Sequence, residues 1–188
     1  GKGIRNPGRE LYDYVSFIDI APTVLEVAGI DENRSGMQTI EGKSLAGIFR
    51  SGKNRLADKS RDHVLIGKER HDVGRPEDAG YPVRGIVREG YLYLMNFKSS
   101  RWPSGDPETG YMECDAGPVK SIILFMRRNG QSGTLWNLSF GKRGEEELYN
   151  ISSDPECLVN LAPDPGLYAM KQRLREEMFR ELNSQGDP

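Results

Sequence analysis

The chain has 188 residues, of which 36% are hydrophobic, and its formal net charge is −2. This length allows one or two domains, and the charge argues against a nucleic-acid-binding protein, which normally carries an excess of Lys and Arg. No apolar run approaches the roughly 18 residues of a membrane-spanning helix, so we expect no membrane partner.

Residues 15–30 predict a short helix whose two ends are marked by the sequence. Ser16 or Asp19 can accept hydrogen bonds from the first free backbone N–H groups, and Pro22 suits a first turn. Gly29 fits the left-handed residue that ends a helix. Apolar residues surround most of the segment, so we expect a helix that is largely buried against a sheet.

The next elements are a helical turn and a strand. Ser44 can cap a short turn that carries Leu45 and Ile48 inward. Residues 63–69 predict a buried strand with a polar exit, and residues 70–80 predict a loop because they are rich in Gly, Pro and Asp.

A β-hairpin is predicted by residues 81–88 and 91–97, with Glu89-Gly90 as the turn. Both faces of its second strand are largely apolar, so at least one face must be covered. Trp102 lies in the turn-rich loop that follows the hairpin.

The C-terminal part predicts a helix, a strand and a second helix. Pro118 opens the first helix and Arg127-Arg128 close it, whereas residues 136–140 are too short to assign. Residues 147–151 predict a strand, and apolar residues spaced from Leu167 to Leu182 predict an amphipathic helix.

Five segments, taken in order, resemble the type I, formylglycine-dependent sulfatase family. They cover residues 5–162 and include the run Glu-Glu-Leu-Tyr-Asn-Ile that ends at Ile151. The Trp102-Pro103 loop is similar to bacterial sulfatases of the heparan N-sulfatase group. The matching motifs are Ser16-x-x-Asp19-x-x-Pro22-Thr23-x-Leu25-x-x-Ala28-Gly29-Ile30, Glu41-Gly42-Lys43-Ser44-Leu45, the hairpin with Arg84, Arg88, Tyr91, Tyr93, Asn96 and Phe97, the Trp-Pro loop, and Glu147-Leu148-Tyr149-Asn150 with Asp154-Pro155-Glu156 and Asn160-Leu161-Ala162.

This resemblance implies an α+β fold, in which a small antiparallel sheet is flanked by a C-terminal helix. Residues 1–62 would be a remnant of the large alkaline-phosphatase-like α/β domain, and residues 63–188 would form the C-terminal sulfatase subdomain. The implied activity is hydrolysis of sulfate esters or N-sulfates of sulfated carbohydrates such as glycosaminoglycans. The full-length enzyme would use Ca²⁺ and formylglycine and would be periplasmic or secreted.

The family's nucleophile motif, Cys- or Ser-x-Pro-x-Arg, does not occur at Cys114, at Cys157 or at any Ser. The resemblance therefore implies that the nucleophile and the metal ligands lie upstream, and that this chain contributes scaffold and substrate recognition. We expect no catalytic residue, no metal site and no activity of the chain alone. We also expect self-association through an exposed surface. The two thiols could form a disulfide, although their spacing favours isolated cysteines.

The candidate substrate-binding residues are Lys68, near the end of the strand at residues 63–69, and Arg70, His71 and Arg75 in the loop that follows it. Cationic donors suit sulfate and carboxylate oxygens, but a solvated loop would have the same composition.

Three further residues or pairs have competing interpretations. Arg84 is expected to be a structural ion-pair partner. Trp102 could stack on a sugar or pack over the hairpin. Glu69 and Asp72 could imitate a glycosidase pair, but nothing fixes their separation.

Two other function classes remain open at this point. One is a non-catalytic carbohydrate-binding or structural module, and the other is a phosphatase or phosphotransferase of the alkaline-phosphatase-like group. Sequence upstream of this chain would discriminate them, because a Cys/Ser-x-Pro-x-Arg motif indicates a sulfatase and a lone Thr or Ser nucleophile indicates the phosphatase group.

Overall fold

The computed structural model describes residues 3–70, 77, 79–105, 116–131 and 133–187. The chain divides into two compact units, one formed by residues 1–64 with 183–188 and the other by residues 65–182. The assignment of residues 1–62 to a larger α/β domain and of residues 63–188 to a subdomain stays a prediction.

Helix α1 (Ile20–Ala28) has the ends that its sequence predicts. A 3-10 turn at Phe17–Asp19 leads into it, and the Asp19 carboxylate accepts a hydrogen bond from the backbone N–H of Ser16 at 3.0 Å. Gly29 ends the helix at φ 70° and the N–H of Ile30 donates to the carbonyl of Leu25. The predicted boundaries are confirmed, but Asp19 does not cap an N–H of the first turn of α1, because its side chain accepts from Ser16 instead.

The expectation that α1 is buried on most of its circumference is wrong for the described residues. Only Pro22 and Thr23 are buried, whereas Phe17 is 89%, Val24 59% and Val27 65% exposed. The buried side of α1 faces α2 (Ala46–Arg50) and the segment before it. An apolar outer face is left in solvent, which is unusual for a helix of this composition.

A buried hydrogen-bond network joins α1 to the segment before α2. The Asp19 carboxylate accepts from the backbone N–H of Lys43 at 2.7 Å and from Arg61 Nη1 at 2.8 Å. Thr23 Oγ1 accepts from the N–H of Leu45 at 2.7 Å. At Gly42 a Cβ atom would collide with the carbonyl oxygen of Ile18, so only glycine permits this approach. The first two motifs of the sequence are thus in direct contact.

The second unit is built on a four-stranded sheet in the order β1-β2-β3-β4. Its strands are β1 (His63–Lys68), β2 (Val83–Arg88), β3 (Tyr91–Asn96) and β4 (Glu146–Asn150). Strand β3 pairs antiparallel with β2 (Val83↔Asn96) and with β4 (Tyr91↔Asn150). Glu89 and Gly90 both have positive φ, 52° and 76°, as a two-residue type I′ hairpin turn requires. The predicted hairpin is confirmed.

Helix α5 (Tyr168–Gln185) packs on one face of this sheet, as the amphipathic pattern predicts. A short 3-10 turn at Pro165–Leu167 precedes it. The core between helix and sheet consists of Ile86, Tyr93, Leu148, Leu174, Met178 and Leu182. The α+β class, with a small sheet and a flanking C-terminal helix, is confirmed.

Strand β1 is less buried than predicted. Its residues are half-buried or exposed, and Ile66 is 39% exposed. The reason is its position at the edge of the sheet, where an apolar run no longer indicates burial on both faces.

Two helices lie in the connection between β3 and β4. The predicted helix that begins at Pro118 is confirmed as α3 (Pro118–Arg128). Residues 136–140, which the sequence left unassigned, belong to helix α4 (Gly133–Phe140). They pack through Ile123, Trp136 and Phe140. In the parts of the chain that the structure describes, no helix is both long and apolar enough to span a membrane.

Candidate binding site on the free face of the sheet

The structure places only part of the predicted substrate-binding cluster. Lys68 ends β1, and its Nζ donates to the carbonyl of Pro103 at 3.1 Å. Arg70 is exposed. His71 and Arg75 lie outside the described residues. The structure therefore does not show whether the four residues lie close together, and their role stays a prediction.

Arg84 has the structural role that was expected of it. Its Nη2 lies 3.3 Å from Glu69 Oε2, and its Nη1 also donates to backbone carbonyls. Glu69 therefore acts as an ion-pair partner of Arg84. Asp72, the second carboxylate of the possible glycosidase pair, lies outside the described residues.

Trp102 packs against the α3–α4 helices. Its ring meets Trp136 edge to face with centroids 6.2 Å apart, and Lys142 Nζ lies 5.2 Å from the Trp102 ring centroid. Its observed partner is therefore α4, which neither interpretation had named, and stacking on a sugar stays a prediction.

The sheet face opposite α5 lines a cavity of about 360 Å³ that lies wholly within the second unit. This volume is near the lower end of the range of about 300–1,000 Å³ that is typical of small-molecule pockets. The lining comes from all four strand regions, the Trp-Pro loop, α4 and the segment after β4. It consists of Lys68, Tyr81, Val83, Leu92, Leu94, Asn96, Pro103, Ser104, Leu138, Arg143, Glu147, Tyr149, Glu156, Cys157 and Leu158.

Alternation along the strands explains why these side chains meet. In β3, Tyr93 faces the α5 core, so Leu92, Leu94 and Asn96 face the cavity. In β4, Leu148 faces the core, and its neighbours Glu147 and Tyr149 line the cavity. The cavity thus has an aliphatic floor and a polar wall.

The polar wall is centred on the Glu147 carboxylate, which belongs to a residue only 5% exposed. Its Oε1 accepts from Asn96 Nδ2 at 2.7 Å, and its Oε2 accepts from the Tyr149 hydroxyl. Burial, together with the hydrogen bond to Glu147, raises the pKa of Tyr149 well above its ordinary value. The phenol is therefore protonated at neutral pH and donates to the carboxylate.

Two cations line the same cavity. Lys68 comes from β1, and Arg143 follows α4 and donates from Nη2 to the carbonyl of Leu138. The carboxylates among the lining residues are Glu147 and Glu156, so the formal charges of the wall balance. Such a wall offers hydrogen-bond donors and acceptors together.

Cys157 also lines the cavity and carries a free thiol. Burial, reinforced by the charges of Asp154, Glu147 and Glu156, raises its pKa, so the thiol is protonated at neutral pH and is a poor nucleophile. Cys114 lies outside the described residues, so a disulfide between Cys114 and Cys157 stays untested.

Sequence reasoning missed Asn96, Arg143, Glu147 and Tyr149 as a group. Each belongs to a recognised motif or its flank, but the sequence alone did not show which polar residues share a face. The available signal was the period of two in β4, which puts Glu147 and Tyr149 on one face, and relating them to Asn96 needed the pairing Leu94↔Glu147.

Relatives of this chain are found among curated proteins. No protein-family model matches the chain. Two curated proteins of Formosa agariphila, both named Ulvan-active sulfatase, are similar to it. One is 25% identical over 178 residues, which are 92% of this chain and 26% of that protein. The other is 24% identical over 186 residues, which are 96% of this chain and 31% of that protein. The chain spans about a quarter to a third of the length of these relatives.

Two solved structures share the fold. BT1596, a 2-O GAG sulfatase, superposes with a TM-score of 0.58 at 19% identity, over 100% of this chain and 29% of that one. BT4656, solved in complex with its substrate D-glucosamine-2-N,6-O-disulfate, gives a TM-score of 0.52 at 13% identity, over 90% of this chain and 24% of that one. At these identities the structures support the fold, and the sequence relatives support the sulfatase resemblance. Both predictions are confirmed.

Proposed function

Because the chain is related to sulfatases along most of its length, we propose that it is the C-terminal part of an enzyme that hydrolyses sulfate esters or N-sulfate groups of sulfated carbohydrates. The observation that carries this proposal is the similarity to two ulvan-active sulfatases over nearly the whole chain. The order of the five motifs supports it from the sequence. By the same resemblance, the complete enzyme would be periplasmic or secreted.

The described residues do not fit the calcium and formylglycine that the family implies. Among them no group of three or more His, Cys, Asp or Glu side chains is placed to hold a metal ion. Neither Cys114 nor Cys157 is followed by the x-Pro-x-Arg of a formylglycine site. In the proposed enzyme both groups would belong to residues outside this chain, and no catalytic step is assigned to the chain itself.

The role that we propose for this segment is recognition of the sugar around the sulfate. Loops at strand ends on a rigid sheet commonly carry binding groups, and the sequence has Lys68 at the end of β1 and Arg70, His71 and Arg75 after it, all within eight residues. Arg can bind carboxylate or sulfate oxygens through two parallel hydrogen bonds. The Lys68 side chain, half-buried at the cavity wall, would join this loop to the sheet.

The test uses the complete enzyme and two substrates, the natural sulfated carbohydrate and a small aryl sulfate. Losing one charged hydrogen bond costs about 1.5–3 kcal/mol, so His71→Ala and Arg75→Ala should each lower kcat/KM on the carbohydrate by about ten- to a hundredfold. The aryl sulfate does not reach the loop and should be hydrolysed as before.

Arg173→Ala is the matched control, because Arg173 is an exposed arginine that pairs with Glu89 at 2.7 Å. It should change neither rate. If the loop variants affect both substrates equally, or neither, the loop is a solvated surface and does not recognise the sugar.

A further inference from the structure

The cavity brings together two opposite charges that do not neutralise each other. Glu147 is almost fully buried, and its carboxylate accepts hydrogen bonds from the neutral groups of Asn96 and Tyr149. Arg143 is half-buried and donates to the neutral carbonyl of Leu138. Within the described part of the chain, neither charge takes part in an ion pair. Buried charges in proteins are normally paired, so this arrangement calls for a partner.

The two charges have capacity for that partner. A carboxylate offers about four lone-pair sites, of which Asn96 and Tyr149 occupy two. A guanidinium offers five N–H donors, of which the bond to Leu138 uses one. A ligand that satisfies both must donate hydrogen bonds to Glu147 and present an anionic group to Arg143.

The rest of the lining restricts the ligand further. The side chains of Val83, Leu92 and Leu94 give an apolar floor, and the ring of Tyr149 stands beside it. The volume of about 360 Å³ suits one small-molecule unit rather than a length of polymer. A sugar ring with an acidic substituent has these properties, because it combines apolar C–H faces, hydroxyl donors and an anionic group.

We propose that this cavity binds one acidic sugar unit, with Glu147 accepting hydrogen bonds from its hydroxyls and Arg143 binding its carboxylate or sulfate. The choice of a sugar rests on the proposed function, whereas the existence of a site for a hydroxylated anion rests on the cavity alone. The site would hold a unit of the carbohydrate in addition to the loop after β1.

The experiment measures binding to the whole 188-residue chain by saturation-transfer difference NMR, which does not depend on the association state of the protein. The probes are D-glucuronate, which has both hydroxyls and a carboxylate, and D-glucose, which has hydroxyls only. Inorganic sulfate serves as a competitor. Glucuronate should bind saturably. Glucose should bind at least about tenfold more weakly because it has no anionic group for Arg143, and sulfate should compete poorly because it has no sugar hydroxyls for Glu147.

Two variants locate the site. Glu147→Gln should weaken glucuronate binding by about ten- to a hundredfold, and Arg143→Gln should reduce glucuronate affinity to that of glucose. Because Arg143 is only half-buried, its variant keeps the test valid if Glu147→Gln does not fold. Glu146→Gln is the matched control, as Glu146 neighbours Glu147 but pairs with Lys171 of α5 on the other face. It should leave binding unchanged.

Three outcomes overturn the proposal. In the first two, glucuronate shows no saturable binding, or it binds Glu147→Gln as tightly as the original chain. In the third outcome, sulfate displaces glucuronate with an affinity equal to that of glucuronate, which indicates an adventitious ion only. The readout is independent of sulfate hydrolysis. If the complete enzyme cleaves sulfate but this chain does not bind glucuronate, only the cavity proposal is refuted. A chain that binds glucuronate in an enzyme without sulfatase activity refutes the proposed function alone.

Discussion

Among single residues, Arg61 is the one whose replacement we expect to destabilise the N-terminal unit most. It is 5% exposed and binds the Asp19 carboxylate at 2.8 Å and the carbonyl of Ser44 at 3.0 Å. Arg61→Ala would leave the Asp19 charge buried without its cation, which should lower the free energy of unfolding by about 3–5 kcal/mol. Urea unfolding followed by circular dichroism measures this change.

The control for Arg61 is another arginine of the same unit. Arg50 lies 2.6 Å from Glu26, but both side chains are largely in solvent. Water and salt screen such a pair, so Arg50→Ala should have a small effect. Equal destabilisation by the two substitutions would show that burial does not set the strength of the Arg61 contact.

Glu146 gives the sheet a pH dependence of predictable sign. Burial raises its pKa, but hydrogen bonds from Lys171 and Tyr93 outweigh burial, so the pKa lies below its ordinary value. An unfolded Glu titrates near pH ~4.3. The stabilisation is therefore present above that pH and is lost as the pH falls through the lower folded value.

We therefore expect the urea midpoints of the original chain and of Glu146→Gln to differ most at neutral pH and to converge as the pH falls below the unfolded value of about 4.3 and folded Glu146 becomes protonated. Midpoints measured from pH 7 to pH 3 test this. A difference that stays constant over the whole range would mean that the Glu146 charge does not stabilise the fold.

The residue scale also shows where sequence reasoning stops. Asp19 was recognisable as a residue of the helix start, because the start of a helix depends on neighbours in sequence. Arg61 lies in a stretch rich in charged residues, and its pairing with Asp19 across 42 positions leaves no local signal. Glu147 and Asn96 likewise meet across 51 positions.

On the scale of elements, the outer face of α1 has the strongest consequence for behaviour in solution. Phe17, Val24 and Val27 form an exposed apolar surface on this helix and its leading turn. Such a surface favours association, so we expect the isolated chain to self-associate or to lose order at its N terminus. Sedimentation velocity at several concentrations should show association that Phe17→Ser with Val24→Ser and Val27→Ser reduces.

Helix α3 supplies the comparison for α1, because Val119 and Phe125 are also exposed. If Val119→Ser with Phe125→Ser reduces association instead, the surface responsible is α3. A chain that remains monomeric at all concentrations, with the α1 amides protected from hydrogen exchange, would contradict the prediction.

Elements differ in how far their sequences determine them. The ends of α1, the turn at Glu89-Gly90 and the last helix follow from residues within one turn of each other, and these predictions are confirmed. Burial is a property of the neighbours, so the same reasoning was wrong for α1 and β1. Helix α4 is only eight residues long and was beyond assignment by periodicity.

For the whole molecule, we expect the chain to have no sulfatase activity on its own. The described residues hold no metal cluster, and the sequence has no formylglycine motif. Purified chain should hydrolyse an aryl sulfate no faster than buffer, with and without added calcium. Turnover above background that is abolished by substituting a residue of this chain would refute the expectation.

The order of motifs along the chain made the α+β class and the sulfatase resemblance predictable, since both depend on the sequence as a linear pattern. The candidate site was less accessible. Its loop residues could be named, but the cavity on the sheet depends on register and on segments that are far apart in sequence.

The sheet runs β1-β2-β3-β4 in chain order, yet its connections differ greatly in length. Strands β2 and β3 are joined by Glu89 and Gly90, whereas residues 97–145 separate β3 from β4. Closing the longer connection costs about 3 kcal/mol more in chain entropy, before its own helices shorten it. The hairpin should therefore form early and β4 should join late, bringing Glu147 and Tyr149 with it. The wall of the cavity would then be the last part of the sheet to assemble and the first to open.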